Sequence, residues 1–221
     1  MTKKLNAAKK AIEYIQDGMT VGLGTGSTVE IMIEELSRKI KSGLNIKCIS
    51  TSNRTTNFAN KFGIIIHEFD SVAKIDLTID GADEVDPYLR GIKGGGGALL
   101  YEKIVAYNSE KNIWIVDDSK LVNKLGGFPL PIEVVSFAAR KLVLRFEQMK
   151  LNPVLRKSNN KNFITDSGHF IIDCHIGEID DPKELEKELK MIPGVVEVGL
   201  FIGITDLVII GYFDRVEVIE K

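Results

Sequence analysis

Short apolar segments alternate with helical segments along the first half of the chain, and this alternation constrains the fold most. The helical segments carry apolar residues at helical spacing, as Val29, Ile33 and Leu36 do. Strands separated by helices indicate a parallel sheet, so we expect a large α/β domain with a Rossmann-like parallel sheet. The apolar segments expected to form buried strands are 18–23, 46–50, 64–66, 75–79 and 112–117.

Four of these predicted strands are followed by polar or glycine-rich residues. In a parallel sheet such residues would converge at the carboxyl ends of the strands, where ligands bind. We therefore expect the functional site at this edge of the sheet. The residues concerned are 24–28, 51–56, 80–83 and 117–120.

The turn Gly24-Thr25-Gly26-Ser27-Thr28 lies between a predicted strand and a predicted helix. This order is typical of phosphate binding, because the helix N-terminus offers N–H groups and Ser27 and Thr28 add hydroxyls. The dinucleotide pattern would need glycine at position 27, and the P-loop pattern would need a lysine before the hydroxyl residue. The motif therefore argues against NAD. A turn shaped only for packing is the alternative.

Lys93 is followed by four glycines, Gly94 to Gly97, and then by a predicted helix that contains Glu102. A glycine turn that leads into a helix presents several N–H groups to an anion, and Lys93 adds a full positive charge. Cation, amides and a carboxylate together suit proton abstraction next to a carbonyl group. The alternative is a flexible surface loop followed by an ordinary salt-bridged helix.

Asp80 and Asp83 form a carboxylate pair at the end of a predicted strand. Paired carboxylates suit Mg²⁺ or Ca²⁺, but the spacing of a calcium-binding loop is absent, and Lys93 could balance the charge instead. A solvated acidic turn is a further alternative. No two histidines have metal-ligand spacing, so we expect structural or surface roles for them and no bound metal. The histidines are His67, His169 and His175.

The net charge is −2, from 29 basic and 31 acidic residues, which predicts no recruitment of nucleic acid or of anionic membrane. Cys48 and Cys174 lie far apart without a C-x-x-C motif and are expected to be reduced thiols. The N-terminal segment is predicted to be an amphipathic helix, neither a signal peptide nor a membrane span. We expect a cytoplasmic protein.

Two glycines and two prolines between Gly126 and Pro131 indicate a domain boundary. The segment that follows is predicted to contain a strand, a helix, further strands, a second helix and a strand. This order is typical of a small α+β domain of ferredoxin-like appearance. We expect a catalytic domain at 1–128 plus the returning segment 202–221, and a small domain at 129–201.

These motifs together resemble the type A ribose-5-phosphate isomerase family, in order and over nearly the whole chain. The departures, at Ser136, Gly97 and Ser167-Gly168-His169, lie outside the proposed chemistry. The matching blocks are 22–28, 51–52, 80–84, 93–96, 102–103, 118–120, 128–134, 165–166 and 192–201.

The resemblance implies an aldose–ketose isomerase that interconverts ribose 5-phosphate and ribulose 5-phosphate through an enediolate, in the pentose phosphate pathway. It implies no metal and no organic cofactor. Glu102 resembles the general base, and Lys93 with the Gly94–Gly96 amides would stabilise the enediolate oxygen. Asp80 and Asp83 would bind sugar hydroxyls, help to open the ring or shuttle the O1/O2 proton.

The resemblance also implies further substrate contacts, without deciding which groups hold the phosphate. It implies a homo-oligomer, a dimer or tetramer, in which the small domain takes part in assembly. The further substrate contacts are Thr25, Gly26, Ser27, Thr28, Gly81, Ala82 and Lys120.

Two other functions are compatible with a related fold. A sugar-phosphate sensor would normally carry a DNA-binding domain, but only about 18 residues precede the first predicted strand. A coenzyme A transferase would use a glutamate nucleophile and would need space for a long cofactor.

Overall fold

The computed structural model describes residues 2–221, within which the chain forms six α-helices and fifteen strands. The helices are α1 (Lys3–Ile12), α2 (Ser27–Lys41), α3 (Asn53–Lys61), α4 (Leu99–Tyr107), α5 (Ala139–Gln148) and α6 (Pro182–Lys190). The first eight strands are β1 (Thr20–Leu23), β2 (Lys47–Ser50), β3 (Leu77–Asp80), β4 (Glu84–Val85), β5 (Gly91–Ile92), β6 (Asn112–Asp117), β7 (Leu130–Val134) and β8 (Pro153–Leu155). The others are β9 (Lys157–Ser158), β10 (Lys161–Asn162), β11 (Phe170–Cys174), β12 (Val195–Val198), β13 (Leu200–Phe201), β14 (Leu207–Gly211) and β15 (Val216–Glu220).

The chain divides into two compact units. The first contains the described residues up to Ala82 together with Tyr101–Leu121 and Gly203–Lys221, and the second contains Asp83–Leu100 and Val122–Ile202. The division into a catalytic domain and a small domain with a role in assembly remains a prediction. The bounds of the compact units differ from those of the predicted domains, since residues 83–100, 122–128 and 202 belong to the second unit.

A six-stranded sheet forms the centre of the first unit, in the order β15-β14-β6-β3-β1-β2. Neighbouring strands from β2 to β14 are parallel, and β15 alone is antiparallel, at one edge. Every residue of β1, β3, β6 and β14 is buried, as expected for parallel strands covered on both faces. The predicted α/β fold with a parallel sheet is confirmed.

Helix α1 packs closely against this sheet. Its buried face consists of Ala7, Ala8, Ala11 and Ile12, and these small side chains allow the helix to approach the backbone. A Cβ at Gly211 of β14 would overlap the carbonyl of Lys3, so the contact requires glycine there. No helix within residues 2–221 has the length and apolar composition to cross a membrane.

The prediction of a strand at 64–66 is wrong. Only Ile66 pairs, through a single bridge to Cys48. Ile64 is buried at 3% exposure while Ile65 is 74% exposed, so three consecutive isoleucines do not make one buried strand. Ile64 packs in the core and so holds the connection between α3 and β3 against it.

The second unit contains a four-stranded antiparallel sheet in the order β12-β7-β11-β8. The connection β7-α5-β8-β11-α6-β12 is the βαββαβ arrangement expected of a ferredoxin-like unit, and this prediction is confirmed. Helix α5 contributes Leu142 and Phe146 to its core. A separate small sheet, β13-β5-β4, carries Lys93 directly after β5.

Candidate active site

The carboxyl ends of β1, β2, β3 and β6 lie at one edge of the first unit's sheet, because these strands are parallel neighbours. The polar residues at the ends of β1, β2 and β3 contact one another, whereas the turn after β6 contacts Lys3 of α1. Thr25 Oγ1 lies 2.8 Å from both Thr51 Oγ1 and Ser52 Oγ, and 3.2 Å from Thr55 Oγ1. Thr55 Oγ1 also donates to the carbonyl of Gly24 at 2.8 Å.

This group of hydroxyls holds the turn between β1 and α2 in place. The hydroxyl of Thr25 is buried and already engaged by three neighbours, so it fixes the loop as well as being a predicted substrate contact. Thr51, Ser52 and Thr55 lie within the segment 51–56 that was expected at this edge, although none of them was predicted to contact substrate. Their signal was present, since hydroxyl residues cluster directly after a buried strand.

Asp80, the last residue of β3, is held in a fixed position at 3% exposure. Its Oδ1 accepts hydrogen bonds from the N–H groups of Thr25 (3.0 Å) and Gly81 (2.7 Å). A Cβ at Gly24 would overlap the carboxyl group of Asp80. Glycine at position 24 therefore lets the carboxylate approach the backbone of the turn.

Helix α2 begins at Ser27, and its N-cap Gly26 has φ 134°, a conformation that favours glycine. Gly26 has no side chain with which to cap the first N–H groups, which leaves them to other acceptors. Lys4 Nζ donates to Ser27 Oγ at 2.9 Å. Ser27, Thr28 and Lys4 thus combine a helix N-terminus, hydroxyls and a positive charge, which suits an anion.

Lys120 lies in the turn after β6, at the same edge of the sheet. In this turn Asp117 accepts a hydrogen bond from the N–H of Ser119 at 3.0 Å, and Asp118 forms an ion pair with Lys3 at 2.6 Å. Lys3 and Lys4 are neighbours in α1, so the start of this helix contacts both the turn after β6 and the N-terminus of α2. In the sequence these two lysines are recognisable only as part of an amphipathic helix.

Glu102 lies in α4 and is 3% exposed. Burial removes water from a carboxylate and strengthens its interactions with nearby charges. A cavity of about 450 Å³ lies along another face of the same helix, lined by Tyr101, Ile104 and Val105. Of the segments expected at the functional site, only 51–56 contributes to the lining of that cavity, through Ser52, Asn53 and Thr56.

In the second unit, Lys93 is 3% exposed despite its charge. Its backbone N–H donates to the carbonyl of Gly199 at 2.9 Å, and its Nζ lies 5.3 Å from the centroid of the Phe201 ring. An aromatic face attracts a cation at this distance. The ammonium group is therefore held within the protein and does not move freely in solvent.

Residues 94–97 form a defined turn and not a flexible loop. Gly94 and Gly97 have φ values of 110° and 82°, and the N–H of Gly97 donates to the carbonyl of Gly94 at 3.0 Å. The N–H of Gly95 donates to Asp83 Oδ2 at 2.7 Å, and a Cβ at Gly95 would lie 2.7 Å from Asp83 Oδ1. The turn thus brings Asp83 against the glycine backbone, while Gly95 and Gly96 are exposed.

Within residues 2–221, no group of three or more histidine, cysteine or acidic side chains is placed to hold a metal ion. The ring of His169 has a structural partner, since its Nδ1 lies 3.0 Å from Glu133 Oε1. Cys48 and Cys174 are both buried thiols, and burial raises the pKa of each to about 12.

The fold and these strand ends define an α/β protein whose hydroxyl groups, carboxylates and lysines gather at the carboxyl edge of a parallel sheet, the edge at which ligands bind in such folds. Residues 47–215 match the sequence profile of ribose 5-phosphate isomerase A (phosphoriboisomerase A). The chain therefore belongs to the ribose 5-phosphate isomerase A family.

Individual relatives agree with this assignment over nearly the whole chain. The ribose-5-phosphate isomerase A of Limosilactobacillus reuteri is 51% identical over 94% of this chain and 92% of its own. That of Enterococcus faecalis is 49% identical over 97% of this chain and 96% of its own.

Solved structures are similar in the same way. The ribose 5-phosphate isomerase A of Methanocaldococcus jannaschii has a TM-score of 0.94 at 42% identity, covering 99% of this chain and 98% of its own. A D-ribose-5-phosphate isomerase in complex with phospho-erythronic acid has a TM-score of 0.95 at 42% identity, with the same coverage of both chains.

Proposed function

We propose that this protein interconverts D-ribose 5-phosphate and D-ribulose 5-phosphate in the non-oxidative pentose phosphate pathway. The observation that carries this function is the match to relatives named ribose-5-phosphate isomerase A, about half identical and of nearly equal length. The reaction moves one proton between neighbouring carbons and requires no net oxidation. Catalysis of this reaction requires at least a base, a group that stabilises negative charge and a phosphate-binding site.

We assign the base to Glu102. Its carboxylate would take the proton from C2 of the aldose to give an enediolate, and would return it to C1 to give the ketose. Its burial supports this role, because a carboxylate shielded from water is a better base towards a carbon acid. In the reverse direction the same group would remove the proton from C1.

Lys93 and the Gly94–Gly96 amides would stabilise the negative oxygen of the enediolate. The buried, fixed ammonium group supports this role, because a charge that is already in place needs no reorganisation during the reaction. The turn geometry supports it as well, since the peptide groups of residues 94–97 are set by a hydrogen bond and not free to rotate.

Asp80 and Asp83 would handle the hydroxyl groups of the substrate. Asp80 is fixed by two backbone N–H groups, which suits a carboxylate that binds and orients sugar hydroxyls together with Gly81 and Ala82. Asp83 is bonded to the glycine turn that follows Lys93, which suits the transfer of a proton between O2 and O1 of the enediolate.

The phosphate would bind at the N-terminus of α2. The N–H groups and hydroxyls of Ser27 and Thr28, the backbone of Thr25 and Gly26, and the charges of Lys4 and Lys120 support this assignment. A dianionic phosphate gains from the helix dipole and from each lysine.

We also propose a cytoplasmic homo-oligomer, a dimer or tetramer. Exposed apolar side chains in the second unit support self-association, namely Phe137, Leu144 and Met191. The two buried, unpaired cysteines support a reducing compartment. Light scattering of the purified protein gives the oligomeric number, and a monomer at micromolar concentration would contradict the first part of this proposal.

The function is tested by NMR with ribose 5-phosphate in D₂O that contains EDTA. We expect ribulose 5-phosphate to form without added metal, with solvent deuterium entering at the carbon that exchanges its proton. Binding of the sugar phosphate without turnover would indicate a sensor instead of an enzyme.

The role of Glu102 is tested by Glu102→Gln, which removes the proton acceptor and keeps the shape of the side chain. We expect turnover to be lost while the Kd for substrate stays within about tenfold. Glu147→Gln, an exposed substitution in α5, is the matched control and should retain full activity. Near-normal turnover in Glu102→Gln would refute the assignment.

A further inference from the structure

Arg156 braces the glycine turn of the second unit. Its Nη1 donates to the carbonyl oxygens of Gly94 at 2.9 Å and Gly95 at 3.2 Å. The same guanidinium donates through Nε to Asp173 Oδ2 at 2.8 Å and forms an ion pair with that carboxylate. The side chain of Arg156 is only 14% exposed. One arginine thus connects the turn to strand β11, which carries Asp173.

Two further contacts make this brace rigid. The backbone N–H of Arg156 donates to the carbonyl of Ile171 in β11 at 2.8 Å, so backbone and side chain are anchored to the same strand. The ring of Phe163 lies 5.7 Å from the Arg156 guanidinium carbon and packs so closely on Gly97 that a Cβ there would overlap it. The position of the guanidinium group relative to the turn is therefore well determined.

The brace also sets the direction of the amides in the turn. In a trans peptide group the C=O of one residue and the N–H of the next point in opposite directions. Because the carbonyls of Gly94 and Gly95 both face Arg156, the N–H groups of Gly95 and Gly96 face away from it. The hydrogen bond from the N–H of Gly95 to Asp83 shows this orientation directly.

We infer that Arg156 is a positioning residue for the isomerase reaction, which keeps the Gly95 amide on Asp83 and the Gly96 amide aimed at the developing enediolate oxygen. This inference rests on the proposed function, in which the Gly96 amide helps to stabilise that oxygen. Asp173 neutralises the charge of Arg156, so the effect is one of geometry and not of a distant field. Donation from a cation to the carbonyls also polarises the peptide groups and strengthens their N–H donors.

The test uses Arg156→Met and Arg156→Lys, with Arg140→Met, an exposed arginine of the same unit, as control. Lysine keeps the charge but cannot donate to two carbonyls and Asp173 together. We expect kcat to fall on the order of 10- to 100-fold in both variants, because small misplacements of catalytic groups have effects of that size. KM should stay within about threefold of the wild-type value, and Arg140→Met should match the wild type in both constants.

The affinities for two ligands distinguish a loss of amide positioning from a general disruption of the site. Phospho-erythronate carries a carboxylate in the position of the enediolate, whereas ribitol 5-phosphate carries only hydroxyls and the phosphate. The Arg156 variants should bind phospho-erythronate at least about tenfold more weakly and ribitol 5-phosphate within about twofold of the wild type.

Equal weakening of both ligands, or a kcat within about twofold of the wild type in both variants, would overturn the inference. If Arg156→Met fails to fold, Arg156→Lys decides the outcome alone. If the wild-type protein does not isomerise ribose 5-phosphate, the proposed function fails. The ratio of the two affinities in the variants then still measures whether the brace orients the amides.

Discussion

Gly24 and Asp80 approach each other so closely that the substitution Gly24→Ala tests the geometry of the first unit's site. A Cβ at position 24 would overlap Oδ1 and Cγ of Asp80, well inside the 3.0 Å limit for real Cβ contacts. The backbones cannot separate easily, because the N–H of Gly24 donates to the carbonyl of Ile79 at 2.9 Å and β1 is paired with β3. The side chain of Asp80 must therefore rotate away, and because its Cβ would itself lie 2.5 Å from the new Cβ, the two backbones must also shift locally.

Rotation of Asp80 removes the hydrogen bonds from the N–H groups of Thr25 and Gly81. A hydrogen bond to a charged group contributes about 1.5–3 kcal/mol, so the loss of both amounts to roughly 3–6 kcal/mol of the free energy of unfolding. Entry of water recovers part of this, and we expect a destabilisation of about 3 kcal/mol. A total stability of about 5–15 kcal/mol leaves the variant folded, with kcat lowered on the order of 100-fold by the displaced carboxylate.

Urea denaturation and steady-state kinetics measure both effects, and a double-mutant cycle assigns their cause. Asp80→Ala is unsuitable as the second substitution, because the Cβ of Asp80 itself would lie 2.5 Å from the new Cβ. In the Asp80→Gly background the overlap is absent, and Gly24→Ala should cost at least about 2 kcal/mol less than in the wild type. Equal costs in the two backgrounds, or a Gly24→Ala variant with wild-type stability and kcat, would refute the reasoning.

Three further substitutions test other parts of the site and the fold. Lys93→Ala should lower kcat on the order of 100-fold or more, the scale for loss of an oxyanion stabiliser, and a loss confined to KM would show that Lys93 only binds. Lys4→Ala should raise KM for ribose 5-phosphate about tenfold with kcat within about twofold, and the reverse split would remove Lys4 from the phosphate site. The ion pair with Lys74 and the hydrogen bond from the N–H of Thr20 hold the pKa of Asp76 below its ordinary value of 3.8, and Asp76→Asn tests this effect. A lowered pKa in the folded state gives stability that is present above the unfolded value and lost on acidification. The difference in unfolding free energy between wild type and Asp76→Asn should thus be present at neutral pH and disappear as the pH falls below 3.8; a difference independent of pH would contradict the assignment.

Much of the fold could be predicted from the sequence, because parallel strands that are buried on both faces appear in a sequence as short, continuous apolar runs. Strands β2 and β6 lie almost where such runs predicted them. The same signal failed at 64–66, where composition alone could not distinguish one buried isoleucine from a strand. An edge strand was available, since β2 lies at the edge of the sheet, yet only Ile66 pairs with it. How far a run follows a neighbouring strand is a property of the tertiary structure.

Part of the candidate site could likewise be predicted from the sequence, and part could not. Glycines, hydroxyls and acidic residues directly after strands were visible as local patterns. The contributions of Lys4 and Arg156 were not, because Lys4 contacts Ser27 across 23 positions and Arg156 contacts Gly94 across 62. The residues next to a lysine in an amphipathic helix, or next to an arginine after a short edge strand, do not indicate that its side chain makes a contact so distant in sequence.

The glycines were interpreted from the sequence as receptors for the anion of a ligand, yet the first anions they accommodate are the protein's own. Gly24 makes room for the carboxylate of Asp80 in the first unit, and Gly95 does so for Asp83 in the second. In each unit a backbone N–H beside the glycine, that of Thr25 or that of Gly95 itself, donates to that carboxylate. Part of the donor capacity of each turn is therefore used to orient an acid. In the proposed site these amides would offset the charge of carboxylates that lie beside an anionic substrate, while Lys93 and the Gly96 amide are assigned to the charge that develops during the reaction.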